Sequence, residues 1–96
     1  MTAYVIYQAD VLDPVAYEDY KAAAATSIEA AGGRYIVRGG EMEVLEGAPP
    51  SLGRTVILEF PTMDTARDWY RSEEYTAARH ARENVANARL FLVDGI

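Results

Sequence analysis

Residues Arg54–Tyr75 read RTVILEFPTMDTARDWYRSEEY, and this stretch decides the fold. Its opening run of Val, Ile, Leu and Phe favours an extended chain. Alternation puts Val56, Leu58 and Phe60 on one side of that strand and Thr55, Ile57 and Glu59 on the other. Pro61 has no N–H for a sheet ladder and ends it. Thr62 offers a side-chain oxygen to the free N–H groups of a short helix carrying Met63, Ala66 and Tyr70, with Trp69 beside that stripe. Ser72 is a second cap, restarting a helix that runs from Glu73 to about Val85.

The chain on either side repeats this logic. Ala3–Ala9 (AYVIYQA) reads as a strand, and Asp13-Pro14 as a helix start. Tyr17, Tyr20, Ala24, Ile28 and Ala31 form one apolar helical stripe, closed by Gly32-Gly33. Arg34–Arg38 (RYIVR) and Glu41–Glu46 (EMEVLE) are strand-like and separated by Gly39-Gly40. We read that glycine pair as a bend or bulge within one long strand, because the Gly47–Ser51 loop is a far stronger break. A two-residue hairpin is the alternative. Ala88–Val93 (ARLFLV) is the last strand. The order β-α-β-β-α-β describes an α+β, ferredoxin-like sandwich: a four-stranded antiparallel sheet with helices on one face.

Residues 1–96 suit a single domain. With half the residues apolar and a quarter charged, the composition is that of a folded protein. A net charge of −6 repels phosphate backbones, and no basic stripe interleaved with aromatics stands out, which argues against nucleic acid as a partner. The absence of cysteine excludes disulfides and thiol chemistry and agrees with a cytoplasmic location. No signal peptide or membrane span is expected.

Alternation also predicts a partner. Ala3, Val5, Tyr7, Tyr35, Val37, Val56, Leu58, Phe60, Leu90 and Leu92 form an apolar set for the helix side. The opposite set mixes Tyr4, Ile6, Ile36, Ile57, Phe91 and Val93 with Gln8, Arg38, Thr55, Glu59 and Arg89. Leaving its large apolar side chains in water forgoes roughly 1.5–3 kcal/mol each, against a net stability of about 5–15 kcal/mol for a whole domain. A second copy stacking sheet on sheet is the economical cover.

The runs VRGG (37–40), VLEG (44–47), ILEFP (57–61) and WYRSEEY (69–75) resemble an uncharacterised bacterial family, a domain of unknown function in the dimeric α+β barrel superfamily. The resemblance spans essentially the whole chain. It implies a ferredoxin-like fold and a homodimer joined through the sheet face, but no established activity. The superfamily includes cofactor-free monooxygenases, isomerases, haem-dependent peroxidases and ligand-sensing domains.

Candidate site residues are few. Arg38 and Glu59 share the mixed face and are expected to meet across adjacent strands, either as a structural ion pair or as a ligand site with Glu59 accepting a proton. Tyr75 and Arg79 are four apart on a helix, and with Trp69 and Tyr70 in the preceding turn they form a candidate pocket mouth; the alternative is that Tyr70 and Tyr75 are core aromatics with their hydroxyls at the rim. His80, the single histidine, is a candidate proton carrier, although a solvated helix position explains it too. No metal-ligand spacing and no cofactor motif is present. Two readings remain open: a non-catalytic homodimeric domain that binds a small organic metabolite or acts as an interaction module, and a cofactor-independent small-molecule enzyme of monooxygenase or isomerase type.

Overall fold

The computed structural model describes residues 1–49 and 53–96. Strand β1 spans Ala3–Val11 and leads into helix α1, Pro14–Ala30. Asp13 caps α1 by accepting from the Ala16 N–H at 3.1 Å, and Pro14 fills the first turn, where no intrahelical N–H is needed. Gly32, at φ 82°, ends the helix in the left-handed conformation that glycine adopts without strain. Strand β2 is Arg34–Arg38 and β3 is Arg54–Phe60. Helix α2 (Met63–Arg71) is capped by Thr62, and α3 (Glu73–Arg82) by Ser72, which accepts from the Tyr75 N–H at 3.1 Å. Strand β4, Ala86–Asp94, closes the fold.

The sheet order is β2-β3-β1-β4, with every neighbouring pair antiparallel. Val5, Tyr7, Val56, Leu58 and Phe60 are buried on one face against Tyr17, Tyr20, Ala24 and Ile28 of α1 and Trp69, Tyr75 and Ala78 of α2 and α3. This is the ferredoxin-like α+β sandwich. On α2 the buried aromatic is Trp69, while Tyr70 is 38 % exposed. The stripe therefore runs Ala66–Trp69, at spacing three, instead of through Tyr70. The Trp69 Nε1–H donates to the Ser27 hydroxyl at 3.0 Å, which lets a polar-edged ring enter the core.

Two sequence expectations fail in β2. A bulge lies between Tyr35 and Val37, so Tyr35 pairs with Leu58 while Val37 pairs with Ile57. The extra residue inverts the alternation: Val37 moves to the outer face and Arg38, opposite Val56, moves to the helix side. The bulge is therefore at Ile36 rather than at the glycines. Gly39, at φ 72°, instead ends β2, its N–H donating to the Thr55 carbonyl at 2.8 Å. Glu41–Glu46 forms no strand; it is exposed and irregular. Of the expected loop, Gly47–Pro49 is irregular, and Pro50 and Ser51 lie outside the described residues.

Register arranges the outer face in three rows. Val37, Ile57, Ile6 and Phe91 make an apolar belt across all four strands. Arg34, Glu59, Tyr4 and Val93 flank it on one side, and Thr55, Gln8 and Arg89 on the other.

Candidate functional site

Between the sheet and the helices lies a layer of tyrosines. Tyr7 of β1 and Tyr17 of α1 share a hydrogen bond between hydroxyls at 2.6 Å, and Tyr20 and Tyr75 share another at 2.8 Å. Arg82, the last residue of α3, lies 5.2 Å from the Tyr20 ring and 5.7 Å from the Tyr7 ring, and its Nη1–H donates to the Tyr75 hydroxyl at 3.3 Å. Burial, and then the neighbouring phenols, push the Tyr17 and Tyr20 hydroxyls far above their ordinary range. These groups stay neutral and can donate hydrogen bonds, but they do not serve as bases. Burial works against the Arg82 charge, and the oxygens of Tyr75, Tyr20 and Tyr7 outweigh it, leaving its pKa raised.

On the β2–β3 side the same layer ends in a cleft with a cavity of about 30 Å³, lined by Tyr7, Tyr17, Tyr35, Arg38 and Arg54 among others. The Arg38 guanidinium lies over the Tyr35 ring, 4.2 Å from its centre. The Arg54 guanidinium packs against Gly39, where a β-carbon would collide with it. Its Nε is shut from solvent with no hydrogen-bond partner among the described residues. Burial raises the Tyr35 hydroxyl, with Arg38 and Arg54 pulling the other way. Lys21 also lines the cleft and is paired with Glu18 at 3.1 Å.

The expected Arg38–Glu59 pair does not form, because the bulge puts the two side chains on opposite faces of the sheet. Glu59 instead accepts from Arg34 Nε at 2.8 Å on the outer face. Tyr70 and Arg79 do come together, with the guanidinium 4.8 Å from the ring centre. Tyr75, expected beside Arg79, is fully buried and turns its hydroxyl to Tyr20 and Arg82. His80 is exposed beside an open polar groove of about 400 Å³ shared with Thr76, Arg79, Glu83 and Asn87. A further apolar pocket of about 190 Å³ lies between α2 and β4, lined by Val5, Trp69, Leu90 and Leu92 with Tyr70 and Arg71. Among the described residues, no three His, Cys, Asp or Glu side chains converge as metal ligands.

Sequence reasoning passed over Arg54 and Arg82, although both left a signal. Arg54 shares the parity of Val56, Leu58 and Phe60, a charge at the head of an apolar set. Arg82 extends the stripe of Tyr75 and Ala78 by one helical turn. A cation in register with core residues has to be explained by its partners.

The family model described as "Domain of unknown function (DUF1330)" matches residues 2–96. No curated protein matches the chain. Among solved structures, a protein of unknown function from Rhodopseudomonas palustris is similar at 17 % identity and a TM-score of 0.78, over 99 % of this chain and 82 % of its own. SnoaB, a cofactor-independent oxygenase from Streptomyces nogalater, is similar at 11 % identity and a TM-score of 0.67, over 99 % of this chain and 93 % of its own. A dimeric protein of unknown function and ferredoxin-like fold from Bacteroides fragilis is similar at 16 % identity and a TM-score of 0.56, over 98 % of this chain and 96 % of its own. At these identities the likeness is one of fold.

Proposed function

The chain belongs to the DUF1330 family, and on that footing we propose that it is a homodimeric domain that holds a small organic molecule in the cleft between α1 and the β2–β3 side of the sheet. Residues 1–96 act as one domain, and the cysteine-free sequence suits the cytosol. The observation that carries the reading is the end of the tyrosine layer. Within that layer the hydroxyls of Tyr7, Tyr17, Tyr20 and Tyr75 have partners, whereas the buried Arg54 Nε at the cleft has none among the described residues. Buried polar groups are almost always hydrogen-bonded, and a bound acceptor in the cleft would satisfy this N–H; Arg79 Nε, beside the groove at His80, is likewise without a partner among the described residues.

The outer-face belt supports the dimer. Phe91 is 45 % exposed and Val37 37 % exposed, in a row that a two-fold axis along or across the strands returns onto itself. The ferredoxin-like relative from Bacteroides fragilis is dimeric. Sedimentation at micromolar concentration should give a dimer; a monomer there removes sheet-on-sheet stacking. A fragment screen read by amide shifts should produce hits that move Tyr35 and Gly39, and a screen that leaves both unmoved removes the cleft.

The apolar pocket between α2 and β4 favours a second reading, a cofactor-independent small-molecule enzyme. Its volume of about 190 Å³ exceeds the roughly 150 Å³ that admits benzene. No carboxylate or histidine lines it, and the proton-handling candidates Glu59 and His80 stand outside it, which ranks this reading second. Substrate-dependent turnover that is lost on filling the pocket by Ala66→Leu would reverse the order.

A further inference from the structure

We propose that the molecule held in the cleft is an organic carboxylate, its oxygens gripped by Arg38 and Arg54. This rests on reading the cleft as a ligand site and names the chemistry it selects.

Charge is the first argument. The chain carries 15 acidic residues against nine basic ones, yet Lys21, Arg38 and Arg54 line this cleft and no acidic residue does. Glu18 answers Lys21. Among the described residues, neither Arg38 nor Arg54 is in an ion pair. Guanidinium groups brought together in a net acidic protein, without carboxylates, leave the counter-charge to come from outside.

Geometry is the second. Two irregularities in β2 act on the same spot. The bulge between Tyr35 and Val37 turns Arg38 to the helix side, and Gly39, lacking a β-carbon, leaves the space that the Arg54 guanidinium fills. The guanidinium of Arg38, an exposed side chain, lies over the Tyr35 ring at 4.2 Å from its centre. A planar guanidinium matches the two oxygens of a carboxylate, and two such forks suit one bound anion. The cavity beneath, about 30 Å³, has room for about one water molecule. At most the carboxylate oxygens enter it, and the organic body of the ligand lies in the open mouth of the cleft. Tyr7 and Tyr17 strengthen the site: their mutual bond uses one hydroxyl proton and leaves the other free to donate.

The test titrates benzoate, the near-isosteric neutral benzamide, and inorganic phosphate into the protein, with heat and amide shifts as readouts. Benzoate should bind at least about tenfold tighter than benzamide, shifting Tyr35 and Gly39. Arg54→Lys keeps the charge but loses the fork, and it should weaken benzoate about fivefold or more while leaving benzamide unchanged. Arg38→Met should act in the same direction, and it covers the case in which Arg54→Lys unfolds. Equal binding of benzoate and benzamide with shifts at Gly39 overturns the carboxylate and leaves the cleft standing. Tighter phosphate than benzoate binding overturns the carboxylate in favour of a phosphorylated ligand. Benzoate binding that shifts only the α2–β4 pocket, or no binding of any probe, overturns the cleft together with the carboxylate.

Discussion

Arg82 and Arg54 stand against the same tyrosine layer in different company. Arg82 lies over two rings and donates to the Tyr75 hydroxyl, so its charge is spread over aromatic faces and phenol oxygens that the fold itself supplies. Arg54 has a glycine at its guanidinium and, among the described residues, no acceptor at its buried Nε. Arg82 completes a core, and Arg54 lines the cleft.

The largest expected effect breaks that contrast if it fails. Trp69→Ala, which removes a buried ring and its bond to the Ser27 hydroxyl, should cost about 3–5 kcal/mol in urea unfolding. Arg54→Met at the cleft should change stability by less than about 1 kcal/mol, because no protein partner is lost. If Arg54→Met destabilised the protein as much as Trp69→Ala, Arg54 would be a core residue and the contrast would collapse.

Alkaline pH tests the tyrosine layer itself next. The buried Tyr17, Tyr20 and Tyr75 hydroxyls titrate above their ordinary value near 10 in the folded state, chiefly because burial disfavours phenolate. Above that value the unfolded chain loses protons that the folded chain keeps, so stability falls as pH rises. It is fully present below about pH 10 and drops by about 1.4 kcal/mol per pH unit for each such tyrosine above it. Unfolding midpoints measured across this range should fall less steeply in Tyr17→Phe by one tyrosine's share. An unchanged slope would mean that Tyr17 ionises in the folded protein.

Gly39 and Gly40 sharpen the view of the cleft. Gly39 has φ 72°, with Arg54 where a β-carbon would stand; Gly40 has open space there and no positive φ. Gly39→Ala should cost about 1–2 kcal/mol and displace Arg54, while Gly40→Ala should cost a few tenths at most. Equal melting temperatures for the two variants would show that the turn is not held as described.

The fold was legible because its signals are local and agree with one another. Asp13-Pro14, Thr62 and Ser72 mark helix starts by their own chemistry, and Pro61 stops a strand with its missing N–H. β3 was bounded correctly at Arg54–Phe60, whereas β2 stops at Arg38 and does not run on through the glycines to Glu46. The site was less legible for one reason. A bulge adds a residue without leaving a composition mark, and Tyr35-Ile36-Val37 reads as uninterrupted strand. That single insertion sent Arg38 to the opposite face from the one expected and dissolved its pairing with Glu59. Glu41–Glu46 shows the converse: strand-like alternation without a partner strand to pair with. The ends of α3 and β4 moved by two or three residues, since Val85 and Ala86 suit either element.

The smallest expected effect concerns a third arginine, which completes the comparison. Arg34 pairs with Glu59 at 2.8 Å on the outer face, where its side chain is 72 % exposed and that of Glu59 26 %. Both partners belong to the chain, as with Arg82, yet both stand in water, so desolvation is slight and screening strong. In the protomer the pair should contribute nothing resolvable: Glu59→Gln, Arg34→Gln and their double variant should melt together within error under monomerising dilution. Stacking a second copy on the belt would alter this, because Glu59 sits one row from Ile57 and Ile6 and would lose solvent in the dimer. A double-mutant cycle run above the dimer dissociation constant should then give a measurable coupling that vanishes on dilution. Coupling that persists unchanged at every concentration would place the pair outside the interface and shift the stacking toward the β4 side of the sheet.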